Sequence, residues 1–493
     1  MLKYFRGSQV QDSIFEKSSK GRCSKHLWPT ASNDNYIPKK LQRQQLPALP
    51  QLSELDVVRH FTNLSKKNFS IDGEFYPLGS CTMKYNPRGI HNLATCEDAL
   101  SRHPLAPVEL SQGYLSCLYQ LQLDLAHITG MHSVSLTPMA GAQGEFAGVA
   151  MIKAYHHDNN EDYRNEMLIP DSAHGTNPAS AVMCGYKIKE VKTLVSGDLD
   201  FSDLKSKITD KTAGLMLTNP STLGLFEKDI IEITTLIHDV GGLLYYDGAN
   251  LNAILGKVRP GDMGFDVMHL NLHKTFATPH GGGGPGSGPV ACCEILAKYL
   301  PIPIVGKDTS SKYLWLDKND RPSSIGRLST FMGNAGVLLR AYLYIKILGP
   351  GGLQEVSECA VLNANYLKHK FKDLGCDVSF PERRATHEFV ITFAKLMKEK
   401  HISALDLAKR LLDERIHAPT MYFPLIVPEC WLIEPTETES LETMDRFILS
   451  MEKILIELDE DVESIYNAPV KLPVSRVDEV AAVKNLDVCF NNE

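Results

Sequence analysis

No run of about eighteen apolar residues, close to the length a membrane-spanning helix needs, occurs in this 493-residue sequence. Positive charge is not in excess: 51 Lys and Arg face 59 Asp and Glu, for a net charge of −8, whereas a nucleic-acid binder would show a basic domain. The N-terminal stretch has no continuous apolar segment and carries Asp12 and Glu16, so neither a secretory signal nor a transit peptide is expected. The eleven cysteines include no C-x-x-C pair, and Cys292 and Cys293 are adjacent rather than spaced for a metal. No zinc site is expected, and the scattered thiols fit reduced core and surface residues of a cytoplasmic protein. Internal repeats and low-complexity segments are absent as well.

What is present falls into three parts. Residues 1–70 read as an N-terminal arm. In it Lys39, Lys40, Arg43, Pro38, Pro47 and Pro50 mark a polar, extended stretch, either laid on a partner chain or partly disordered. Residues 71–348 read as a large domain. Met167–Pro170, Ala213–Thr218 and Gly242–Asp247 are short, nearly continuous apolar runs. Between the last two, Ile230, Ile233, Ile237 and Val240 share a helical face, with Asp229 in the first turn and Gly241 at the C-terminal end. Strand–helix–strand repetition of this kind predicts an α/β fold around a buried, mostly parallel sheet, whose ligands sit at the carboxyl ends of strands. An apolar helix is expected over 334–348, broken by Gly349-Pro-Gly-Gly352. Residues 349–493 read as a smaller α+β domain, with a strand over 388–393 and helices over 404–415 and 441–458. Leu441, Met444, Ile448, Met451, Leu455 and Leu458 form the core stripe of the last helix.

The most unusual segment runs from Asn271 to Pro289. A strand-like stretch over 266–270 delivers His273, Lys274 and Thr275 into a loop rich in glycine. The G-x-G-x-x-G spacing of Gly281, Gly283 and Gly286 ends in Pro289 and a strand rather than a helix, which disfavours a dinucleotide site. Lys274 precedes the glycines, which excludes a Walker loop. A lysine at a buried strand end is costly unless paired or neutralised. With a lowered pKa it becomes an amine nucleophile toward carbonyls, the aldehyde of pyridoxal phosphate (PLP) among them. Taken singly, Lys274 would be a surface residue, Asp247 a helix N-cap and His174 a loop histidine capping the helix near Asn177. Together they suit a cofactor site. Asp247 ends its strand where it can hold a protonated pyridine nitrogen, and His174 can stack on a planar ring. The small residues of Met139–Glu145 open a helix whose N–H groups can bind phosphate.

These segments are joined by Leu78-Gly-Ser-Cys-Thr-Met-Lys-Tyr-Asn-Pro87, Asp171-Ser-Ala-His-Gly-Thr-Asn-Pro178, His417-Ala-Pro-Thr-Met-Tyr-Phe-Pro424 and Glu434-Pro-Thr-Glu-Thr-Glu439. As a set, over about residues 55–470, they closely resemble the PLP-bearing half of the glycine dehydrogenase family, the P-protein of the glycine cleavage system. The resemblance implies the PLP-dependent transferase architecture called fold type I, and sites completed by a neighbouring subunit. It further implies a chain that is the second of two separate subunits. Its partners would be glycine dehydrogenase subunit 1, in a heterotetramer of two of each, and the lipoylated H-protein that receives the aminomethyl group of glycine. Carried over by position, Lys274 matches the Schiff-base lysine, Asp247 the partner of the pyridine nitrogen and His174 the stacking residue; these three are the catalytic candidates. Ala249 would pack on the opposite ring face, and Ala142 and Gln143 would meet the phosphate. Asn219 and Thr222 would lie near the cofactor's 3-oxygen, with His273 and Thr275 flanking the lysine. Two places depart from the family pattern: Ser221-Thr222, often Asn-Thr, and the stretch 324–333, which keeps Arg327 without an evident role. Two rival readings remain at this level. One is a PLP-dependent aminotransferase or lyase that binds a substrate carboxylate through Arg383 or Arg384; the other is a non-catalytic scaffold half.

Overall fold

The computed structural model describes residues 12–23, 38–45, 47–279 and 286–486. Residues 1–11, 24–37 and 46 of the expected arm, and His280–Pro285 of the glycine-rich loop, therefore lie outside the described residues. Among the described residues, thirteen strands are named in chain order. They are β1 (Ser133–Ser135), β2 (Glu166–Pro170), β3 (Lys187–Val191), β4 (Thr212–Thr218), β5 (Leu243–Gly248), β6 (Val267–Leu270), β7 (Val290–Cys292), β8 (Ile304–Lys307), β9 (Tyr313–Leu316), β10 (Asp377–Val378), β11 (Phe389–Thr392), β12 (Thr420–Met421) and β13 (Cys430–Ile433).

The large sheet has seven strands in the order β1-β7-β6-β5-β4-β2-β3. β3, β2, β4, β5 and β6 pair in parallel, and β7 runs antiparallel to both β6 and β1. The apolar runs are continuous because both faces are covered, and alternation sorts them. Leu168, Leu215, Leu217, Leu244, Tyr246 and Met268 enter one core. Met167, Ile169, Met216, Tyr245 and Val267 enter the other, against Ala147, Val149, Met151 and Ile152 of the helix Gly141–Asp158. A period of two on a sheet buried on both sides produces this pattern. The register sets Asp247 beside Thr218 on β4 and His269 on β6, all at carboxyl ends.

The second body is a four-stranded antiparallel sheet, β10-β11-β13-β12. It packs with the helices Ala404–Asp413 and Leu441–Glu460 around Trp431, Phe371, Phe389 and Phe447. Ser403 and Asp406 close a capping box on the first of these helices. The strap Phe75–Lys84, which the sequence groups with the large domain, lies against this small sheet. Phe75 bridges Ile416, Leu78 bridges Ile433, and a Cβ on Gly79 would come within 2.4 Å of the Leu432 side chain.

Two sequence expectations are modified. The arm is not wholly extended: Glu54–Ser65 is a helix, started by Ser53, whose hydroxyl accepts from the Asp56 N–H. The apolar helix does break at Gly349 (φ 62°, ψ −176°), but a second helical segment begins at once and the pair spans Ala335–Asp373. Pro350 is tolerated there because the first helical position needs no N–H. Among the described residues, no helix is long and apolar enough to cross a membrane.

Candidate active site

The carboxyl ends of β5 and β6 deliver Asp247 and, four residues past Leu270, Lys274, which sits in the one-turn helix Leu272–Thr275. The loop after β2 delivers His174. Asp247 is fully buried. His174 Nε2 lies 2.6 Å from its Oδ2, and Asn177 Nδ2 donates to the same oxygen at 3.1 Å. The Ala249 N–H donates to Oδ1 at 2.9 Å. Burial opposes the charge on Asp247, but His269, His174 and the Ala249 N–H outweigh it and hold the carboxyl far below the usual range. Burial likewise opposes a charged His174, yet Asp247 prevails and raises it. The two form an ion pair whenever the ring is protonated. The Thr176 N–H lies 3.2 Å from His174 Nδ1, a bond the ring accepts only in its neutral form with Nε2–H toward Asp247, so this capping contact and the ion pair belong to different protonation states of one ring.

A shell of further groups surrounds this pair. Tyr245 OH is 2.6 Å from His269 Nδ1, and burial pushes His269 down to about 4, so that ring is neutral. Glu145, in the first turns of the helix Gly141–Asp158, sits 3.8 Å from His174 Nε2. Burial and the nearby Asp247 push Glu145 up to about 8, which makes it a carboxylic acid at neutral pH. The Lys274 amine has no hydrogen-bond or ion-pair partner among the described residues, although its charge acts on Glu145, His174, His269, Glu388 and Glu434.

Lys84 is buried at 4 % exposure. Its Nζ reaches Asn252 Oδ1 at 2.9 Å, the Thr275 carbonyl at 2.8 Å and Glu437 Oε1 at 2.7 Å. The strap and the segment after β13 are thereby tied to the turn that carries Lys274. Glu145, His269, Lys84, His387, Glu388 and Glu434 were not singled out as site residues from the sequence. Glu145, Lys84 and Glu434 lay within the quoted motifs, but His387 and Glu388 carried no such signal, since only the pairing of β11 with β13 brings them here.

The other candidates divide. The structure gathers Ala249 and Thr275 at the strand ends beside Asp247 and Lys274. His273 Nδ1 accepts from the Ser287 N–H at 3.2 Å. Ala142 and Gln143 lie in the first turn of the helix Gly141–Asp158; the Gln143 side chain is spent on the Met139 N–H and the Leu328 carbonyl, which leaves its backbone for any anion. The side chains of Asn219 and Thr222 are committed elsewhere. Asn219 Oδ1 accepts from the Glu227 N–H at 2.9 Å, and Thr222 Oγ1 donates to the Ser172 carbonyl at 2.6 Å. Arg383 is bound to Asp198 Oδ1 at 2.7 Å and to the Phe226 carbonyl; Arg384 is exposed, and Arg327 pairs at the surface with Asp317.

The residues gathered here fit PLP. Thr275 Oγ1, Thr278 Oγ1, Ser287 Oγ and Glu145 Oε2 are buried polar atoms without a protein partner, and such atoms await a polar ligand or water. The N-terminus of an eighteen-residue helix supplies N–H groups for a phosphate. Close approach shapes this cradle: a Cβ on Gly144 would fall 2.4 Å from the Gly288 carbonyl oxygen, and one on Gly288 2.1 Å from that of Ala140. Asp247 supplies the buried anion and Lys274 the unpaired amine.

Comparison with known proteins agrees. Residues 356–472 match the family model "Glycine dehydrogenase, C-terminal domain", and residues 149–283 match "Aminotransferase class-V". A Coxiella burnetii protein named probable glycine dehydrogenase (decarboxylating) subunit 2 is 60% identical over 476 residues, 96% of this chain and 97% of its own. A Legionella pneumophila protein of the same name is 60% identical over 478 residues, 97% and 99% of the two chains. Among solved structures, the inhibitor-bound glycine decarboxylase (P-protein) of the glycine cleavage system superposes with a TM-score of 0.70 at 19% identity, covering 85% of this chain and 93% of that one. Glutamate decarboxylase of Lactobacillus brevis gives 0.65 at 14% identity, covering 87% and 97%. The structural neighbours establish the fold, that of the PLP-dependent transferases of type I.

Proposed function

The chain belongs to the glycine dehydrogenase (decarboxylating) subunit 2 family, and from that premise we propose that it decarboxylates glycine with PLP carried on Lys274 and passes the aminomethyl group to the lipoyl arm of the H-protein. The observation that carries this reading is the placing of the Lys274 amine, which has no partner among the described residues, and a buried, ionised Asp247 at the ends of neighbouring strands, with buried polar atoms left unspent nearby in the chain. PLP, when bound, supplies a ring into which the electrons of a broken Cα–carboxylate bond can spread.

The chain's own residues do the rest. Asp247, kept ionised by His174, Asn177 and Ala249, would hold a proton on the pyridine nitrogen by a charge-assisted bond. His174 would lie on one face of the ring and Ala249 on the other. The N–H groups of Ala142 and Gln143 would hold the phosphate, with Thr275, Thr278 or Ser287 hydroxyls completing its shell. His273 would brace the loop around Ser287. Asn219 and Thr222 would shape the wall near the ring's 3-oxygen through their backbone, since their side chains are engaged. His174 or the released Lys274 would move the proton on the substrate side. Lys84 would keep the Lys274 turn in register through the Thr275 carbonyl. The commitment of Arg383 to Asp198 weighs against the aminotransferase reading.

The reading includes a first subunit as partner, as the relatives' name "subunit 2" suggests, in a heterotetramer, and a cytoplasmic setting in keeping with the free thiols of the described residues. Two measurements test it. Borohydride reduction of the purified full chain followed by peptide mapping should place the cofactor on Lys274; label on another lysine would sink that assignment. With first subunit and lipoylated carrier added, labelled bicarbonate should exchange into the carboxyl of glycine. Lys274→Ala should abolish the exchange, and retained exchange would refute the role of Lys274.

A further inference from the structure

Three buried donors that the account above leaves unused converge where the strap crosses the small sheet. His387 and Glu388 lead into β11, and Glu434 follows β13. All three are fully buried, and one ligand atom from each lies within 4.8 Å of the others. His387 Nε2 is 3.9 Å from Glu388 Oε1 and 3.8 Å from Glu434 Oε1, too far to hydrogen-bond. His387 Nε2 and Glu434 Oε1 have no partner among the described residues, and buried polar atoms of that kind are rare. The outer oxygens, by contrast, are held. The N–H of Ser80 donates to Glu388 Oε2 at 2.7 Å and that of Thr82 to Glu434 Oε2 at 2.9 Å, both from left-handed strap residues (φ 63° and 49°). Asn250 Nδ2 donates to Glu388 Oε1 at 3.3 Å. On the far side of the imidazole, Nδ1 faces Thr386 Oγ1 at 3.5 Å, so a proton on Nδ1 leaves the Nε2 lone pair toward the acids. Two buried carboxyls need a compensating charge. Among the described residues, His387 is the only basic side chain within ion-pairing reach of either acid, and Lys84 of the strap is committed to Glu437.

We propose that His387, Glu388 and Glu434 hold a divalent first-row metal ion that clamps the strap to the small sheet. The spacing fits such an ion: two donors about 2.1 Å from one centre, with about 130° between them, stand about 3.8 Å from each other. One imidazole and two carboxylates suit Zn2+, Fe2+ or Mn2+, whereas Ca2+ and Mg2+ take oxygen ligands throughout. The charges match, because two carboxylates and a neutral imidazole balance a doubly charged cation. Where a proton stands in for the ion, entry of the ion releases it. The Ser80 and Thr82 N–H groups and Asn250 take the place of the outer partners that orient metal ligands. The ion would join three segments distant in sequence: the strap Phe75–Lys84 through its N–H groups, the entry to β11 and the exit from β13. Its role is structural, and the strap it fixes is the one that carries Lys84 to the Thr275 carbonyl. The inference does not depend on the reading of Lys274.

The test uses the untagged full chain, dialysed against a chelator and then given Zn2+ or Mn2+ alone. The added ion should raise the thermal midpoint, as any ligand of the folded state does. X-ray absorption at the edge of the bound metal should show one imidazole nitrogen and carboxylate oxygens at about 2.1 Å, with no sulfur. His387→Ala and Glu434→Gln should each bind the ion at least about 10-fold more weakly, since even the loss of an outer partner costs that much. A midpoint that neither ion moves overturns the proposal. So does an adventitious ion only, seen as a sulfur or wholly oxygen shell, or as binding that both variants keep unchanged. If the variants fail to fold, the absorption spectrum of the wild type decides. Borohydride label on a different lysine would remove the cofactor assignment and leave these metal measurements unaffected, so the two failures are distinct.

Discussion

Replacing Asp247 by Asn keeps the shape of the side chain and removes the charge around which the site is arranged. In the wild type that charge is buried and meets His174 at 2.6 Å, Ala249 N–H at 2.9 Å and Asn177 at 3.1 Å. The amide can still accept from Ala249, but its NH2 then faces the donors of His174 and Asn177. A hydrogen bond to a charged group is worth about 1.5–3 kcal/mol, and a neutral one about 1. The sign with pH follows from the two shifts. His174 is raised above 6.5, so its contribution is complete below about pH 6.5 and fades as pH rises through its folded value. Asp247 is depressed, so its contribution is complete above about pH 4 and is lost only as pH falls through its much lower folded value. Between those limits both are charged. Asp247→Asn should therefore destabilise the cofactor-free chain by about 3 kcal/mol near pH 6, and by less as pH rises toward 9 through the folded value of His174, while the bonds that Asn177 and the Ala249 N–H make to the carboxylate are lost at every pH in that range. Urea midpoints measured across that range, with the denaturant slope checked for constancy, supply the test. A difference that stays flat with pH, or falls below about 0.5 kcal/mol at pH 6, within the range of an ordinary surface substitution, would refute the ion-pair account. In the loaded enzyme the same change should slow glycine exchange by roughly 10- to 150-fold, the rate equivalent of 1.5–3 kcal/mol.

Other expectations follow from single contacts. Lys84→Met should cost about 3–5 kcal/mol by stranding buried Glu437, and the double change Lys84→Met with Glu437→Met should recover most of it; chemical denaturation of the three variants measures this, and an additive double would contradict it. Gly248→Ala should force β5 and β6 apart beside Asp247, since the new Cβ would lie 1.9 Å from the His269 carbonyl oxygen. A loss of about 1–3 kcal/mol together with weakened cofactor retention is expected, measured by denaturation and by the absorbance kept after gel filtration.

Much of this molecule was legible before its structure. The apolar runs at 167–170, 213–218 and 242–247 became adjacent parallel strands β2, β4 and β5 because a sheet buried on both faces leaves no room for polar alternation. Asp247, His174 and Lys274 could be chosen because residues just past strand ends meet at one edge of such a sheet. Of the expected stripe, Met444, Met451 and Leu458 entered the core and Ile448 and Leu455 packed against it, but Leu441, at the first position of the helix with no preceding turn to cover it, stayed 52% exposed. Less legible were Asn219 and Thr222, whose side chains could equally face the cavity or the neighbouring loop; contacts with Glu227 and Ser172 chose the loop.

Sequence alone determined the local periods, the breaks at glycine and proline, and the chemical types available near the strand ends, since these depend on neighbours a few residues away. Tertiary structure alone decided which distant groups share a cavity. Lys84 lies 2.8 Å from the Thr275 carbonyl, and Glu388 and Glu434 meet around His387, only because the strap crosses the small sheet and β11 pairs with β13. The protonation of these groups is likewise a tertiary property. Burial and opposed charges, not residue type, make Glu145 and Glu434 acids that hold their protons near neutrality while Asp247 keeps its charge.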